Sequence, residues 1–444
     1  MFETLIRGAT IVNAEGLDRR DVGIAGGRIV ALVAPGETAA ARTIVDASGS
    51  LLLPGLVDAH AHLREPGLTH KEDFSSGTHA AALGGVTTVL DMPTDDPWTA
   101  TAGQLADKMA MAEGRVHVDV GLQAVVSRDL SLIPRLLKLA PVSFELFTAD
   151  VPEAFLFGTF DAVASALKNF DGADTLIGIS PGEQSILTAS NERNQAGTIA
   201  AFLDNRPPLA EAGGITRAIL AAAVTGARIH VRQINSELGT KVWSRLRDMA
   251  DASVETTPQN LFFSADDYET QGAALKGSPP LRSRRDVDAL RAALGEGLID
   301  IVATDHAPHA PAEKAATYAA FADIPGGMPG LQTLLQTMLK LVDEGLITLP
   351  DLVRMCAGNP AERFGLGRSK GRIAAGYDAD MLIVDPRQSS TIANADQVSR
   401  AAYTPFDGWT VKARLTNVFL GGKEIVRDQV LIGPAQGKPV RRES

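Results

Sequence analysis

The central part of the chain alternates short apolar runs with longer amphipathic stretches, and this alternation constrains the fold more than any other feature. Between about residues 53 and 365, each strand-length run is followed by a helical pattern, which is typical of βα units that feed a parallel sheet. Eight such units predict an α/β fold, a closed (β/α)8 TIM barrel whose functional side chains lie at the C-terminal ends of the strands. The candidate strands are residues 56–63, 86–93, 116–126, 142–149, 174–183, 227–236, 253–263 and 299–309.

The two ends of the chain have a different pattern. Residues 1–52 and 366–444 consist of short alternating segments separated by Gly, Asn and Asp turn signals, which indicates β-sheet. Either end alone is too small to bury a stable core. We therefore predict that both ends pair into one discontinuous β-sandwich domain, with the barrel of residues 53–365 inserted between its halves.

Composition excludes several classes of partner. Hydrophobic residues make up 45% of the chain and charged residues 21%, which is ordinary for a globular protein. A net charge of −11 argues against nucleic acid and anionic membranes, which call for clustered cations. The first residues lack a basic segment followed by an apolar one, so no secretory signal is predicted. We expect a cytoplasmic protein with no nucleic-acid partner and no membrane partner.

Two polar clusters stand at predicted strand ends. His60 and His62 end the first strand, and because residues i and i+2 of a strand point to the same face, both imidazoles can reach one metal ion. The stretch ATDHAPH, which contains Asp305, ends the eighth strand. Cys356 is the single cysteine, so any metal would be bound through nitrogen and oxygen. The pattern predicts a metal site at the mouth of the barrel.

Several motifs, taken in order, resemble those of the cyclic amidohydrolases, the branch of the amidohydrolase superfamily that holds dihydroorotase, allantoinase and hydantoinase. The resemblance covers nearly the whole chain and implies the same barrel plus sandwich. The motifs are PGLVDAHAHLREPG (54–67), GGVTTVLDMP (84–93), GSPPLRS (277–283), ATDHAPH (303–309), GGMPGLQT (326–333) and NPAERFGL (359–366).

Members of this family hold two metals. The first is bound by the His-x-His pair, a carboxylated lysine on strand four and an aspartate on strand eight; the second is bound by the same lysine and by histidines on strands five and six. The resemblance therefore implies that His60, His62 and Asp305 bind the first metal. The lysine position falls on Glu145, which we expect to give an oxygen ligand without carboxylation.

The ligands of the second metal are missing. The resemblance places Pro181 at the strand-five histidine and Gln233 at the strand-six histidine. Because the losses affect only the second metal, we predict a single divalent ion. Two imidazoles and two carboxylates suit zinc, with manganese or iron as alternatives.

The resemblance also implies how substrate is held. Asp305 would bind the metal and also carry a proton from the attacking water to the leaving nitrogen. In dihydroorotase an arginine, an asparagine and a histidine hold the substrate carboxylate, and these positions fall on Arg64, Thr94 and His309. All three are predicted to bind substrate.

Two acids beside Thr94 bear on the identity of the substrate. Asp95 and Asp96 would repel a carboxylate, so we expect a neutral or cationic cyclic amide, imide or ureide rather than dihydroorotate. The alternative is that both acids belong to a solvated turn.

The function predicted is a metal-dependent hydrolase that opens the C–N bond of a small ring of the dihydroorotase, hydantoin or allantoin type. The alternative is a catalytically inactive homologue that serves as a structural partner, as some dihydroorotase-like chains do for aspartate transcarbamoylase. Another metal-assisted reaction, such as deamination, is also open because a fold does not fix a reaction. The resemblance further implies a homo-oligomer, either a dimer or a tetramer.

Overall fold

The computed structural model describes residues 1–37 and 39–443. Thr38 and Ser444, which fall within the predicted sandwich segments, lie outside the described residues. The strands of the N-terminal segment are β1 Phe2–Arg7, β2 Thr10–Asn13, β3 Gly16–Arg19, β4 Asp21–Ala25, β5 Arg28–Val33, β6 Ala41–Asp46 and β7 Leu51–Pro54. Those of the central segment are β8 Leu56–Ala61, β9 Val86–Asp91, β10 Asp119–Val125, β11 Ser143–Phe147, β12 Ile177–Ser180, β13 Ile229–Val231, β14 Ala252–Thr256 and β15 Ile301–Val302. The C-terminal segment has β16 Met381–Asp385, β17 Ser390–Thr391, β18 Thr410–Val411, β19 Arg414–Leu420, β20 Lys423–Arg427, β21 Val430–Leu431 and β22 Pro439–Val440.

The α-helices of the described residues all lie in the central segment. They are α1 Phe74–Leu83, α2 Ala102–Ala112, α3 Ile133–Leu137, α4 Phe160–Lys168, α5 Gln184–Arg193, α6 Ile199–Asp204, α7 Pro208–Thr225, α8 Glu237–Leu246, α9 Pro258–Phe262, α10 Tyr268–Gln271, α11 Arg284–Gly295, α12 Pro311–Ala315, α13 Leu334–Asp343, α14 Leu349–Val353 and α15 Asn359–Arg363. Over the described ranges, no helix is both long and apolar enough to cross a membrane.

Strands β8 to β15 form the predicted barrel. Each pairs with its neighbour in parallel, and a bridge between Ala61 and His306 joins the first strand to the chain just after the last. All six residues of β8 and of β9 are buried, as expected where a parallel sheet is covered on both faces. The TIM barrel prediction is confirmed: seven predicted strand ranges contain one of these strands, and the range 253–263 overlaps β14, which begins one residue earlier at Ala252.

Local capping fixes where the loops at the barrel mouth end. Asp73, Thr101, Thr159 and Ser236 precede α1, α2, α4 and α8, and each side chain accepts a hydrogen bond from the backbone N–H of the third helical residue. Such caps contribute about 1 kcal/mol each. They hold the segments between strand and helix, where the candidate functional residues lie.

The two chain ends meet in one sheet. Strand β7 pairs in parallel with β2 and antiparallel with β16, within the order β21-β20-β19-β16-β7-β2-β3. A second sheet has the order β5-β4-β1-β6. Apolar side chains of both sheets, including Ile24, Leu52 and Phe419, form one buried cluster. The discontinuous sandwich is therefore present, while the boundaries at residues 52/53 and 365/366 stay a prediction.

The C-terminal segment also reaches the barrel. β22 pairs in parallel with β10, with Val120 opposite Pro439. At the same junction the buried ammonium of Lys370 lies 2.7 Å from Asp119 of β10, and 2.7 and 3.2 Å from Asp380 and Asp378 of the C-terminal segment. This cluster ties the barrel to the sandwich.

Candidate metal centre

Three side chains from the first and last strands of the barrel and the segments that follow them converge at the barrel mouth. His60 lies in β8, His62 directly follows β8, and Asp305 follows β15. Their candidate ligand atoms all lie within 4.8 Å of one another, and Nε2 of each imidazole is 3.2 Å from Oδ1 of Asp305. These distances leave two nitrogens and one oxygen directed at a common point.

The Nδ1 atom of each imidazole contacts a polar side chain of the protein. His60 Nδ1 lies 2.5 Å from Oε1 of Glu255, and His62 Nδ1 lies 2.9 Å from the Thr94 hydroxyl. Burial would raise the pKa of Glu255, but Arg232 and His60 lower it well below its ordinary value. A carboxylate on Nδ1 places the imidazole proton there and leaves Nε2 free for a metal.

The backbone is strained at this mouth. Arg64, Gln233 and Asp305 have φ angles of 62°, 46° and 46°, in the left-handed region that costs a non-glycine residue about 1–3 kcal/mol. Such conformations concentrate at functional sites. The sequence around these three positions shows no turn motif that would predict their positive φ angles.

Glu145, whose role as a fourth ligand stays a prediction, contacts protein groups in this structure. Its Oε2 accepts a hydrogen bond of 3.0 Å from Nε of Arg232, and its Oε1 accepts one of 2.8 Å from the Ser180 hydroxyl. Both oxygens are thereby committed to protein donors, and the carboxylate stays out of the His60, His62 and Asp305 group. The physical reason is that a buried guanidinium neutralises Glu145 where a metal was expected to do so.

Arg232 was not predicted from the sequence, because the strand-six motif places the ligand position on the neighbouring residue, Gln233. The side chain is 1% exposed and donates to two carboxylates inside the barrel, those of Glu145 and Glu255. One signal was available: an acid at the lysine position of strand four accompanies a base within the strand-six motif. A reciprocal exchange of charge of this kind predicts a buried ion pair.

The two lost ligand positions have other contacts. Nε2 of Gln233 donates a hydrogen bond to Oδ2 of Asp305, so the amide contacts a candidate ligand. Pro181 lies in the wall of a cavity next to the site. Neither position offers a histidine for a second ion.

Of the three predicted substrate residues, Arg64 and His309 lie next to each other, whereas Thr94 contacts His62. Nη2 of Arg64 lies 3.5 Å from Nε2 of His309, whose Nδ1 lies 3.3 Å from Nζ of Lys71. Burial, with Arg64 and Lys71, lowers the pKa of His309 to about 3, which keeps this imidazole neutral. The hydroxyl of Thr94, in contrast, lies 2.9 Å from Nδ1 of His62, so Thr94 contacts a candidate ligand, and its contact with substrate stays a prediction.

The expected repulsion from Asp95 is not supported by the structure. Asp95 is buried, with a carboxylate oxygen 2.5 Å from the ammonium of Lys108, and Asp91 lies 2.6 Å from the same ammonium. The single ammonium of Lys108 faces both carboxylates, and burial raises the pKa of Asp95 to about 7, so the charge that Asp95 could direct at a substrate carboxylate is reduced. Asp96 is exposed, as expected for a residue in a solvated turn.

A cavity of about 190 Å³ is lined by Gln233, whose side-chain amide contacts Asp305. Its wall includes apolar side chains such as Phe147, Val151 and Leu187, and also Gln233, which together with Asp305 lines a smaller recess as well. Gln233 therefore connects the cavity to the candidate ligand Asp305, and the cavity offers space for a small ring.

A pH-dependent stability follows from His230, which lies inside the barrel with Nδ1 2.8 Å from the Ser253 hydroxyl and Nε2 2.9 Å from Glu255. Burial lowers the pKa of His230 from 6.5 to about 4, although Glu255 raises it. Between these values the unfolded chain binds a proton that the folded chain does not, so the free energy of unfolding should fall as pH decreases from about 6.5 to about 4. When the free energy of unfolding is measured with urea at several pH values, that of His230→Gln should depend less on pH between about 4 and 6.5 than that of wild type. An equal pH dependence for both proteins would contradict this role of His230.

Comparisons with known proteins agree with this geometry. The sequence profile described as "Amidohydrolase family" matches residues 186–425, and the one described as "Dihydro-orotase-like" matches residues 49–126. A dihydroorotase of Halobacterium salinarum is 37% identical over 396 residues, which cover 88% of this chain and 89% of the other. An allantoinase of Escherichia coli is 31% identical over 454 residues, covering 99% and 97%.

Solved structures extend the likeness to the whole molecule. The L-hydantoinase (dihydropyrimidinase) of Arthrobacter aurescens superposes with a TM-score of 0.95 at 27% identity and covers 100% of both chains. Full coverage includes the barrel and the strands contributed by both ends. The resemblance read from the motifs is thereby confirmed: this chain belongs to the amidohydrolase family, among the cyclic amidohydrolases that include dihydroorotases, allantoinases and hydantoinases.

Proposed function

We propose that this protein hydrolyses the C–N bond of a small cyclic amide with one divalent metal ion held by His60, His62 and Asp305. The observation that carries the proposal is the convergence of their ligand atoms within 4.8 Å. Glu255 and Thr94 contact Nδ1 of His60 and of His62. Three protein ligands with a further position open are typical of catalytic rather than structural zinc sites. Zinc fits this donor set, and manganese or iron are the alternatives.

The surroundings favour one ion over two. Family resemblance puts a second metal between the residues of strands four, five and six, which here are Glu145, Pro181 and Gln233. Proline offers no side-chain ligand, and Glu145 is already paired with the guanidinium of Arg232. A fixed positive charge of the protein thus lies beside the position where the family places its second cation.

The side chains of this site have distinct roles in the proposed reaction. The chemistry that a divalent ion supplies when bound is acidification of a water molecule and polarisation of the ring carbonyl. Asp305 accepts the proton of the attacking water as the new C–O bond forms, then delivers it to the ring nitrogen as the C–N bond breaks. Gln233 holds Oδ2 of Asp305 through its amide, and Glu255 and Thr94 keep the imidazoles oriented.

One observation favours the alternative of an inactive structural partner. The pairing of Glu145 with Arg232 removes the fourth candidate ligand from the site. The three remaining ligands keep their mutual geometry and their partners, which supports an enzyme.

Turnover decides between the two. Zinc-loaded and manganese-loaded protein should be assayed against cyclic ureides, imides, lactams and hydantoins, with dihydroorotate and allantoin included. Ring opening of any of these substrates supports the hydrolase, whereas metal-loaded protein that opens none supports the structural partner.

Arg64 should separate charged from neutral substrates. No carboxylate lies within ion-pair distance of it in the described ranges, where its contacts are the backbone carbonyl of Pro308 and the ring of His309. A hydrogen bond to a charged group contributes about 1.5–3 kcal/mol, so Arg64→Met should raise KM for dihydroorotate about 10- to 100-fold and change KM for an unsubstituted hydantoin much less. The exposed Lys168→Met is the matched control, and equal changes for both substrates would contradict the role.

Assembly and location remain predictions. The family resemblance implies a homo-oligomer, dimer or tetramer, and we propose this together with a cytoplasmic location. Light scattering of purified protein tests the first, and a fluorescent fusion in the source cell tests the second.

A further inference from the structure

We propose that Arg232 is a positioning residue, which fixes the candidate ligand His60 through the carboxylate of Glu255 and thereby sets the affinity of the metal site. The inference rests on the metal centre of the proposed function. It concerns a side chain that touches none of the three converging ligands directly.

The guanidinium of Arg232 is fixed on several sides. Nε donates to Oε2 of Glu145 at 3.0 Å, Nη2 donates to Oε1 of Gln123 at 2.6 Å, and Nη1 donates to Oε2 of Glu255 at 3.1 Å. The Cζ atom of Arg232 also lies over the ring of Phe364, 5.4 Å from the ring centroid. A planar fork with five donors suits such a position, whereas the single ammonium of a lysine does not.

Two connections lead from Arg232 to His60. The first passes through Glu255, whose Oε2 accepts from Arg232 at 3.1 Å while its Oε1 contacts His60 Nδ1 at 2.5 Å. The second is a hydrogen bond of 3.0 Å from Nη1 to the backbone carbonyl of Ala59, the residue before His60. Arg232 therefore restrains both the side chain and the strand that carry this imidazole.

Burial makes the contacts of Arg232 hard to replace. The side chains of Arg232, Glu145 and Glu255 are exposed by 1%, 0% and 0%, so water cannot replace a lost partner. With the guanidinium removed, the Glu255 carboxylate would lose its hydrogen bond at Oε2 and face the cost of an uncompensated buried charge, so it would rotate away or displace the strand that carries it. Either change weakens the hold on Nδ1 of His60 and leaves Nε2 less well directed.

A double-mutant cycle tests the link. Zinc affinity should be measured by competition with a chromophoric chelator for wild type, Arg232→Met, Glu255→Gln and the double variant. Loss of a partner behind a metal ligand costs about 10- to 100-fold in affinity, and we expect each single variant to raise Kd by this factor. If Arg232 acts through Glu255, the double variant should be no worse than the weaker-binding single variant.

Two further variants separate positioning from general destabilisation. Lys370→Met removes another buried cation, at the junction with the sandwich, and should leave the zinc Kd within about twofold while lowering stability. Arg232→Lys keeps the charge and should recover part of the affinity; it carries the test if Arg232→Met does not fold. The visible spectrum of the cobalt-substituted protein should change in Arg232→Met and stay unchanged in Lys370→Met.

The outcomes are distinguishable from those of the proposed function. Wild-type protein that binds no zinc would remove the metal centre itself and this inference with it. Wild-type protein that binds zinc, with an unchanged Kd in Arg232→Met or with additive effects in the double variant, would overturn the positioning role alone.

Discussion

Asp305→Asn is expected to lower kcat by at least about 100-fold, within the range of about 10²–10⁴ that a positioned acid–base group contributes. The carboxylate lies 3.2 Å from Nε2 of both His60 and His62 through one oxygen and accepts from Gln233 through the other. An amide of the same shape keeps the packing but cannot take a proton from water. Its weaker donor oxygen should also loosen the metal.

The measurement is kcat at saturating substrate with added zinc, so that loss of proton transfer is separated from loss of metal. Asp266→Asn, which removes an exposed carboxylate elsewhere, is the control and should leave kcat unchanged. An Asp305→Asn enzyme that keeps more than a tenth of wild-type kcat would contradict the assigned proton transfer.

Lys370→Met should lower the free energy of unfolding by about 3–5 kcal/mol, the cost of leaving buried charges without their partner. Lys370 lies with its ammonium among Asp119, Asp378 and Asp380 and is 4% exposed. Burial would lower the pKa of this ammonium, but Asp380 and Asp119 raise it above its ordinary value. Methionine of similar length leaves Asp119 and Asp380 buried without a cation, whereas Asp378 keeps its ion pair with Arg28.

Chemical unfolding at neutral pH measures this change. The surface variant Lys168→Met is the control and should shift the unfolding free energy by less than about 0.5 kcal/mol. A loss below about 1 kcal/mol for Lys370→Met would show that the barrel and the sandwich are not joined through this cluster.

The sequence was sufficient to predict the barrel, and with it the meeting of His60, His62 and Asp305. Apolar runs of strand length followed by helical patterns determine which residues reach the C-terminal strand ends, because a parallel barrel places all those ends on one face. The sandwich followed from a different argument, that neither chain end could bury a core alone.

The contacts of Glu145 and Asp95 could not be predicted for one physical reason. Each acid was interpreted from its local motif, whereas the structure pairs it with a cation outside that motif, Arg232 for the first and Lys108 for the second. Ion pairing between strands and helices depends on side-chain directions that periodicity does not specify. No local sequence pattern predicts the left-handed backbone conformation of Gln233 either.

The most direct measurement is the number of metal ions per chain. Purified protein, stripped with a chelator, reconstituted with zinc and passed through a desalting column, should retain one zinc per chain by elemental analysis. His62→Ala should retain substantially less. Two tightly held ions per wild-type chain, or none after reconstitution, would contradict a single-metal centre built from His60, His62 and Asp305.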